Sequence, residues 1–111
     1  MNRETKKLLF DALSACRAIR QFVQDHTFND YEGDLILRSA VERQFEIVGE
    51  AMNQAWQIDE MVVDMAPDLP KIIGLRNRLI HGYATVNNQI IWSIVQNDLP
   101  ALEEQLETAL K

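Results

Sequence analysis

Residues 37–55 read Leu37-Arg38-Ser39-Ala40-Val41-Glu42-Arg43-Gln44-Phe45-Glu46-Ile47-Val48-Gly49-Glu50-Ala51-Met52-Asn53-Gln54-Ala55. Leu37, Val41, Phe45, Val48, Met52 and Ala55 recur at steps of three and four, the spacing that puts apolar side chains on one face of an α-helix. The stretch predicts a long amphipathic helix from about Asp30 to Trp56, with Gly33 in its first turn or just outside it and Asn29 or Asp30 as its cap. Gly49 lies inside this helix, where glycine costs roughly 1 kcal/mol against alanine. Close packing against a neighbouring backbone would offset that cost.

The same periodicity extends in both directions. Upstream, Leu8, Ala12, Cys16, Ile19 and Val23, widened by Leu9, Leu13 and Phe22, predict a helix from roughly Arg3 to Asp25. Downstream, residues 57–69 read as a loop with a helical turn through Met61-Val62-Val63. Pro70 suits the first position of a helix covering Lys71 to about Ile80, which Gly82 closes. Asn87-Asn88 starts another helix carrying Ile90, Ile91, Ile94 and Val95. Pro100 opens a fifth or bends the fourth, with Leu102, Leu106 and Leu110 beneath it. β signals are weak throughout. The predicted fold is all-α, an antiparallel helical bundle of four to five helices, with residues 1–111 as a single domain.

Composition narrows the classes of function. The chain has 111 residues, 47% of them hydrophobic and 25% charged, as folded proteins have. No run of apolar residues is long enough to span a membrane, and Asp11 and Arg17 interrupt any signal-peptide core. A single cysteine, Cys16, suits a reducing cytoplasm. The net charge of −6 argues against a general nucleic-acid coat protein. It leaves room for an enzyme that handles one phosphate with one or two local arginines.

The segment with pointed chemistry is Arg76-Asn77-Arg78-Leu79-Ile80-His81-Gly82-Tyr83. Histidine exchanges protons near neutrality, and arginine presents a planar charge that matches phosphate oxygens in pairs. Together they are a minimal kit for cleaving RNA without metal. His81 would move the proton of the ribose 2′-hydroxyl or of the leaving oxygen, and Arg76 would stabilise the charge developing on the phosphate. Asn77, four residues before His81, shares its helix face and is placed to orient the imidazole. Arg76 and His81 are five apart, roughly 140° around a regular helix. They converge only if the helix frays near Gly82 or a second subunit completes the pocket. Considered as bare residue types, the same His and Arg also serve as surface or capping groups at a helix C-terminus.

That segment resembles the Arg-x4-His-x-Tyr motif of HepT toxins, a branch of the HEPN superfamily. The resemblance extends to residues 38–51, to Pro70-Lys71-Ile72-Ile73-Gly74-Leu75 leading into the motif, and to Ile91–Val95 with Asp98-Leu99-Pro100. It implies a HEPN-like helical bundle and a metal-independent endoribonuclease of a type VII toxin–antitoxin system. It also implies a homodimer in which the Arg and His of both subunits line one cleft, with RNA as the substrate. The implied partner is a minimal nucleotidyltransferase antitoxin that attaches AMP to the motif tyrosine. By this resemblance Arg76 and His81 are catalytic, Asn77 is supporting and Tyr83 is the site of AMP attachment. No metal or cofactor is implied.

Other constellations read differently. Glu42, Glu46 and Glu50 form a stripe at four-residue steps, but no histidine accompanies them as a bundle metal centre requires. Their expected roles are ion pairs, such as Arg38 with Glu42, or one glutamate positioning Arg76 or Arg78 from across the bundle. Arg78 itself reads as structural. His26 ends the first helix, Cys16 packs in the core, and Trp56 and Trp92 either stack bases or fill core or interface. Against the endoribonuclease stand two alternatives. One is a non-catalytic helical subunit that binds substrate or nucleotide for a nucleotidyltransferase; the other is a pure assembly module.

Overall fold

The first helix begins where Asn2 accepts the Thr5 N–H through its side chain at 2.8 Å. In the computed structural model, which describes residues 1–82 and 86–111, it runs as α1 (Arg3–Val23). It stops before Asp25, whose φ of 64° lies in the left-handed region and cannot continue a helix. His26 therefore lies beyond the helix end, with its Nδ1 3.6 Å from Asp30 Oδ2.

The long helix expected from Asp30 to Trp56 is two helices. Thr27 and Asp30 form a reciprocal capping box, with bonds of 2.8 and 3.2 Å, that starts the short α2 (Phe28–Glu32). Gly33 closes it, and Asp34 restarts the chain by accepting the Leu37 N–H at 3.1 Å. The result is α3 (Leu35–Ile58). The caps are thus Thr27 and Asp34, not Asn29 or Asp30. A single turn, α4 (Val62–Met65), follows, then α5 (Leu69–His81) with Pro70 in its first turn. Asn87 caps α6 (Asn88–Asn97) by accepting from Gln89 and Ile90 N–H at 2.8 and 3.2 Å. Pro100 opens a separate last helix, α7 (Leu99–Ala109), because it has no N–H to continue the ladder of α6. Among the described residues there are five helices of ten or more residues, two short ones and no strand.

The elements form an all-α bundle. α3 packs between α1 and α5, α7 lies against α1 and α6, and α2 bridges α3 to α6. Fully enclosed residues include Leu9, Cys16 and Ile19 of α1, Val41, Phe45, Val48 and Met52 of α3, Ile72 of α5, Ile91 of α6 and Leu106 of α7. Each such large side chain is worth about 1.5–3 kcal/mol of hydrophobic stabilisation. The apolar stripe of α1 centres on Leu9 rather than Leu8, while Leu8 and Phe22 sit on its margins. Trp92 packs its ring on Tyr31 at 5.4 Å and Phe28 at 6.4 Å, and so ties α6 to α2. Cys16 is wholly buried, and burial, with the Glu103 carboxylate adding to it, pushes its thiol up to about 12. No described helix is long and apolar enough to cross a membrane.

Candidate active site

Arg76 is set by the crossing of α5 over α3. Its side chain leaves α5 directly against the backbone of Gly49 on α3. A Cβ built on Gly49 would overlap Arg76 Cβ, lie 2.7 Å from its Cγ and reach 3.5 Å from the Ile72 carbonyl oxygen. The missing side chain at position 49 is therefore occupied by the stem of Arg76. That accounts for a glycine in mid-helix, as expected from its cost there.

Beyond that crossing the guanidinium is held at both ends. One terminal nitrogen pairs with Glu50 Oε2, the residue next to Gly49 on α3. The other donates to Asn77 Oδ1 at 2.9 Å. Glu50 is itself held on its other oxygen by Gln54 Nε2 at 2.7 Å. A chain of contacts thus runs Gln54–Glu50–Arg76–Asn77 across two helices. The Arg76 side chain is 22% exposed, and its Nε is buried without a hydrogen-bond partner. Of the three glutamates on the stripe, Glu50 is the one that reaches across the bundle, as one of them was expected to do. Glu46 pairs with Arg43 at 3.2 Å. Arg38 binds the Glu32 carbonyl oxygen instead of forming a contact pair with Glu42. Burial raises the Glu42 carboxyl above its usual range, with the Arg38 charge opposing and Glu46 reinforcing the shift.

These groups open onto a groove of about 420 Å³ between α1, α3 and α5, whose walls include Lys7, Asp11, Arg43, Glu50, Arg76 and Ile80. Lys7 and Asp11 pair with each other at 3.0 Å on the α1 side. Sequence reasoning missed both of them and Gln54, since no local pattern tells which turns of α1 and α3 face α5. His81 is the last residue of α5, exposed, and not among the groove's walls. The helix does not fray before it: the Gly82 N–H still bonds to the Arg78 carbonyl at 2.9 Å. Arg76 and His81 therefore keep their separation around the helix within one chain. Asn77 is engaged by Arg76, and no hydrogen bond joins it to the His81 imidazole among the described residues. The expected Asn77–His81 contact is replaced by the hydrogen bond from Arg76. Tyr83 lies outside the described residues.

Arg78, two residues on from Arg76, belongs to a different face. With Lys71, Gly74, Ile90 and Ile94 it borders a smaller groove between α5 and α6. A further feature was available from sequence and is meaningful only with this geometry. Residues 69–97, which contain α5 and α6, carry Lys71, Arg76 and Arg78 but none of the chain's 17 Asp and Glu residues. The acidic charge of the molecule is thus carried by other segments. No group of three or more His, Cys, Asp or Glu side chains among the described residues is arranged to hold a metal ion.

The sequence profile of the family described as Ribonuclease HepT-like matches residues 12–109, nearly the whole bundle, including α5 and its motif. The chain belongs to the HepT-like ribonuclease family. Three relatives match over most of this chain and most of their own length. A candidate RNase of Methanocaldococcus jannaschii is 32% identical over 107 residues, 95% of each chain. A protein of Thermococcus cleftensis named probable ribonuclease HepT is 31% identical over 113 residues, 100% of each chain. A candidate RNase of Caldanaerobacter subterraneus is 32% identical over 101 residues, 89% of this chain and 88% of its own. No solved structure matches. Family membership accounts for the resemblance seen in residues 76–83.

Proposed function

We propose that this HepT-like chain is an endoribonuclease toxin that cleaves RNA by metal-independent transesterification, with Arg76 and His81 as its catalytic residues. The observation that carries the reading is a fixed guanidinium and an exposed imidazole at the end of one helix, inside the carboxylate-free stretch of an otherwise acidic chain. The carboxylates beside the guanidinium come from other elements, Glu50 among them, and its remaining terminal N–H groups are the donors offered to a phosphate. His81 takes the proton of a ribose 2′-hydroxyl, and the oxygen attacks the adjacent phosphorus. The bond to the 5′ oxygen breaks, and that oxygen takes up a proton as it leaves. The products are a 2′,3′-cyclic phosphate and a 5′-hydroxyl. Arg76 stabilises the charge on the non-bridging oxygens.

One chain offers His81 on a different side of α5 from Arg76, so a homodimer is part of the proposal. Two copies facing each other place one His81 as base and the other as acid along a shared cleft, and such an interface buries at least about 1,000 Å². The proposed setting is the cytoplasm, and the proposed partner is a minimal nucleotidyltransferase antitoxin of a type VII pair. It would transfer AMP from ATP to the Tyr83 hydroxyl with release of pyrophosphate. A phosphate attached two residues from His81 in the sequence would then repel the RNA backbone.

The test is cleavage of an RNA substrate by the purified protein in the presence of EDTA, with His81→Ala and Arg76→Lys alongside. The expected result is full activity with chelator, a loss of roughly 10²–10⁴-fold without the imidazole, and a poor lysine variant because lysine cannot make a paired phosphate contact. Normal cleavage by both variants would end the proposal. RNA binding without cleavage by the unaltered protein would favour the substrate-binding subunit instead.

A further inference from the structure

Gly49 and Glu50 are adjacent on α3, yet both act on one residue of α5. Gly49 admits the Arg76 stem against the α3 backbone, which brings the guanidinium alongside Glu50. Glu50 does not stand free to receive it: Gln54, one turn on, holds its other oxygen at 2.7 Å. The carboxylate is thereby fixed at both oxygens, and the guanidinium is fixed at both terminal nitrogens by Glu50 and Asn77. An arginine carries five N–H donors in a rigid planar fork. With Nε enclosed and one N–H on each terminal nitrogen engaged, one N–H on each terminal nitrogen remains. Two such donors match the paired oxygens of a phosphodiester.

We propose that Glu50, braced by Gln54, is the positioning residue of this ribonuclease: it aims the Arg76 guanidinium at the scissile phosphate. The proposal rests on the ribonuclease reading above. Glu50 does not touch RNA; it acts through Arg76. Its negative charge works against phosphate binding in the ground state, so its contribution lies in orientation. Loss of Glu50 therefore separates the two kinetic constants. The guanidinium gains freedom, and kcat falls by on the order of 10²-fold, the usual consequence of misplacing a reacting group by about 1 Å. KM stays the same or decreases, because a carboxylate near the phosphate has gone.

The experiment compares full-length Glu50→Ala, Glu50→Gln and Glu46→Ala proteins with the unaltered chain. Each is measured by steady-state cleavage of one RNA and by the NMR signal of the Arg76 Nε–H, identified by its disappearance in Arg76→Lys. Glu46 lines the same groove with the same charge but pairs with Arg43, so Glu46→Ala serves as the charge-matched control. The expected result is the kcat loss in Glu50→Ala alone. Glu50→Gln should stay within about tenfold of the unaltered kcat, because its amide carbonyl still accepts the arginine N–H. The Arg76 signal should be sharp and slow to exchange in the unaltered protein, kept in Glu50→Gln and averaged in Glu50→Ala. A normal kcat in Glu50→Ala, an equal loss in Glu46→Ala, or an unchanged Arg76 signal in Glu50→Ala would overturn the proposal. If the unaltered protein cleaves no RNA, the ribonuclease reading fails. The NMR comparison then still decides whether Glu50 fixes Arg76.

Discussion

Replacing Gly49 by alanine adds one methyl group at the crossing of α3 and α5, and the structure sets the consequence. The new carbon would overlap Arg76 Cβ and lie 2.7 Å from Cγ, where carbon atoms at rest stand about 3.5–4.0 Å apart. Arg76 Cβ is fixed to the α5 backbone, so no rotamer change relieves the overlap; α5 must move out by at least about 1 Å. Two effects oppose each other. Alanine improves the intrinsic helicity of α3 by up to about 1 kcal/mol, while overpacking of this kind costs about 1–3 kcal/mol. The overlap is with a Cβ and not with a flexible tip, so the packing cost dominates. With the packing cost in the upper half of that range, about 2–3 kcal/mol, the net loss is about 1–2 kcal/mol, or roughly 4–8 °C in Tm for a chain of this size. The same displacement carries the guanidinium away from Glu50, and cleavage falls on the order of 10²-fold. Thermal unfolding followed by circular dichroism and cleavage of an end-labelled RNA measure the two effects on one preparation. A Gly49→Ala protein that melts higher than the original and cleaves at the original rate would refute the account of the crossing.

Gly74 provides the contrast on α5, because a Cβ there meets nothing within 4 Å. Gly74→Ala should raise stability by about 0.5–1 kcal/mol, and a lower Tm would show that something approaches that backbone. Cys16, buried with its thiol raised from 9.0 to about 12, should resist thiol reagents at pH 8 until the protein is unfolded. The proton is held more tightly in the folded state. Its contribution to stability is therefore intact below about pH 9 and is lost between pH 9 and 12, at up to about 1.4 kcal/mol per unit. Labelling at the unfolded rate, or alkaline stability that does not decline across that window, would count against the burial. In the presence of a nucleotidyltransferase partner and ATP, mass spectrometry should find AMP on the unaltered chain and not on Tyr83→Phe, with cleavage silenced only in the former. AMP found only on another residue would remove Tyr83 from the proposal.

The amino-acid sequence by itself determined that this is a helical bundle, because apolar steps of three and four in residues 8–23 and 37–55 permit no other burial. It also determined the end of the motif helix, since Gly82 closes α5 as its position suggests. The motif itself was legible as residue types at fixed spacing. Where reading failed locally, short-range competition was the reason. Thr27 capped one short helix, Gly33 ended it and Asp34 capped a second, so one expected helix became two. Tertiary structure alone decided which of three equivalent glutamates faces Arg76 and why Gly49 interrupts a helix. It also decided that Asn77 accepts a hydrogen bond from Arg76 and that Lys7 and Asp11 wall the same groove. Helical periodicity fixes the angle of a side chain around its own axis, but it carries no information on where a second helix crosses. That crossing is chosen by the summed packing of both helices, in which one missing Cβ lets α5 close on α3 and selects the partner of Arg76.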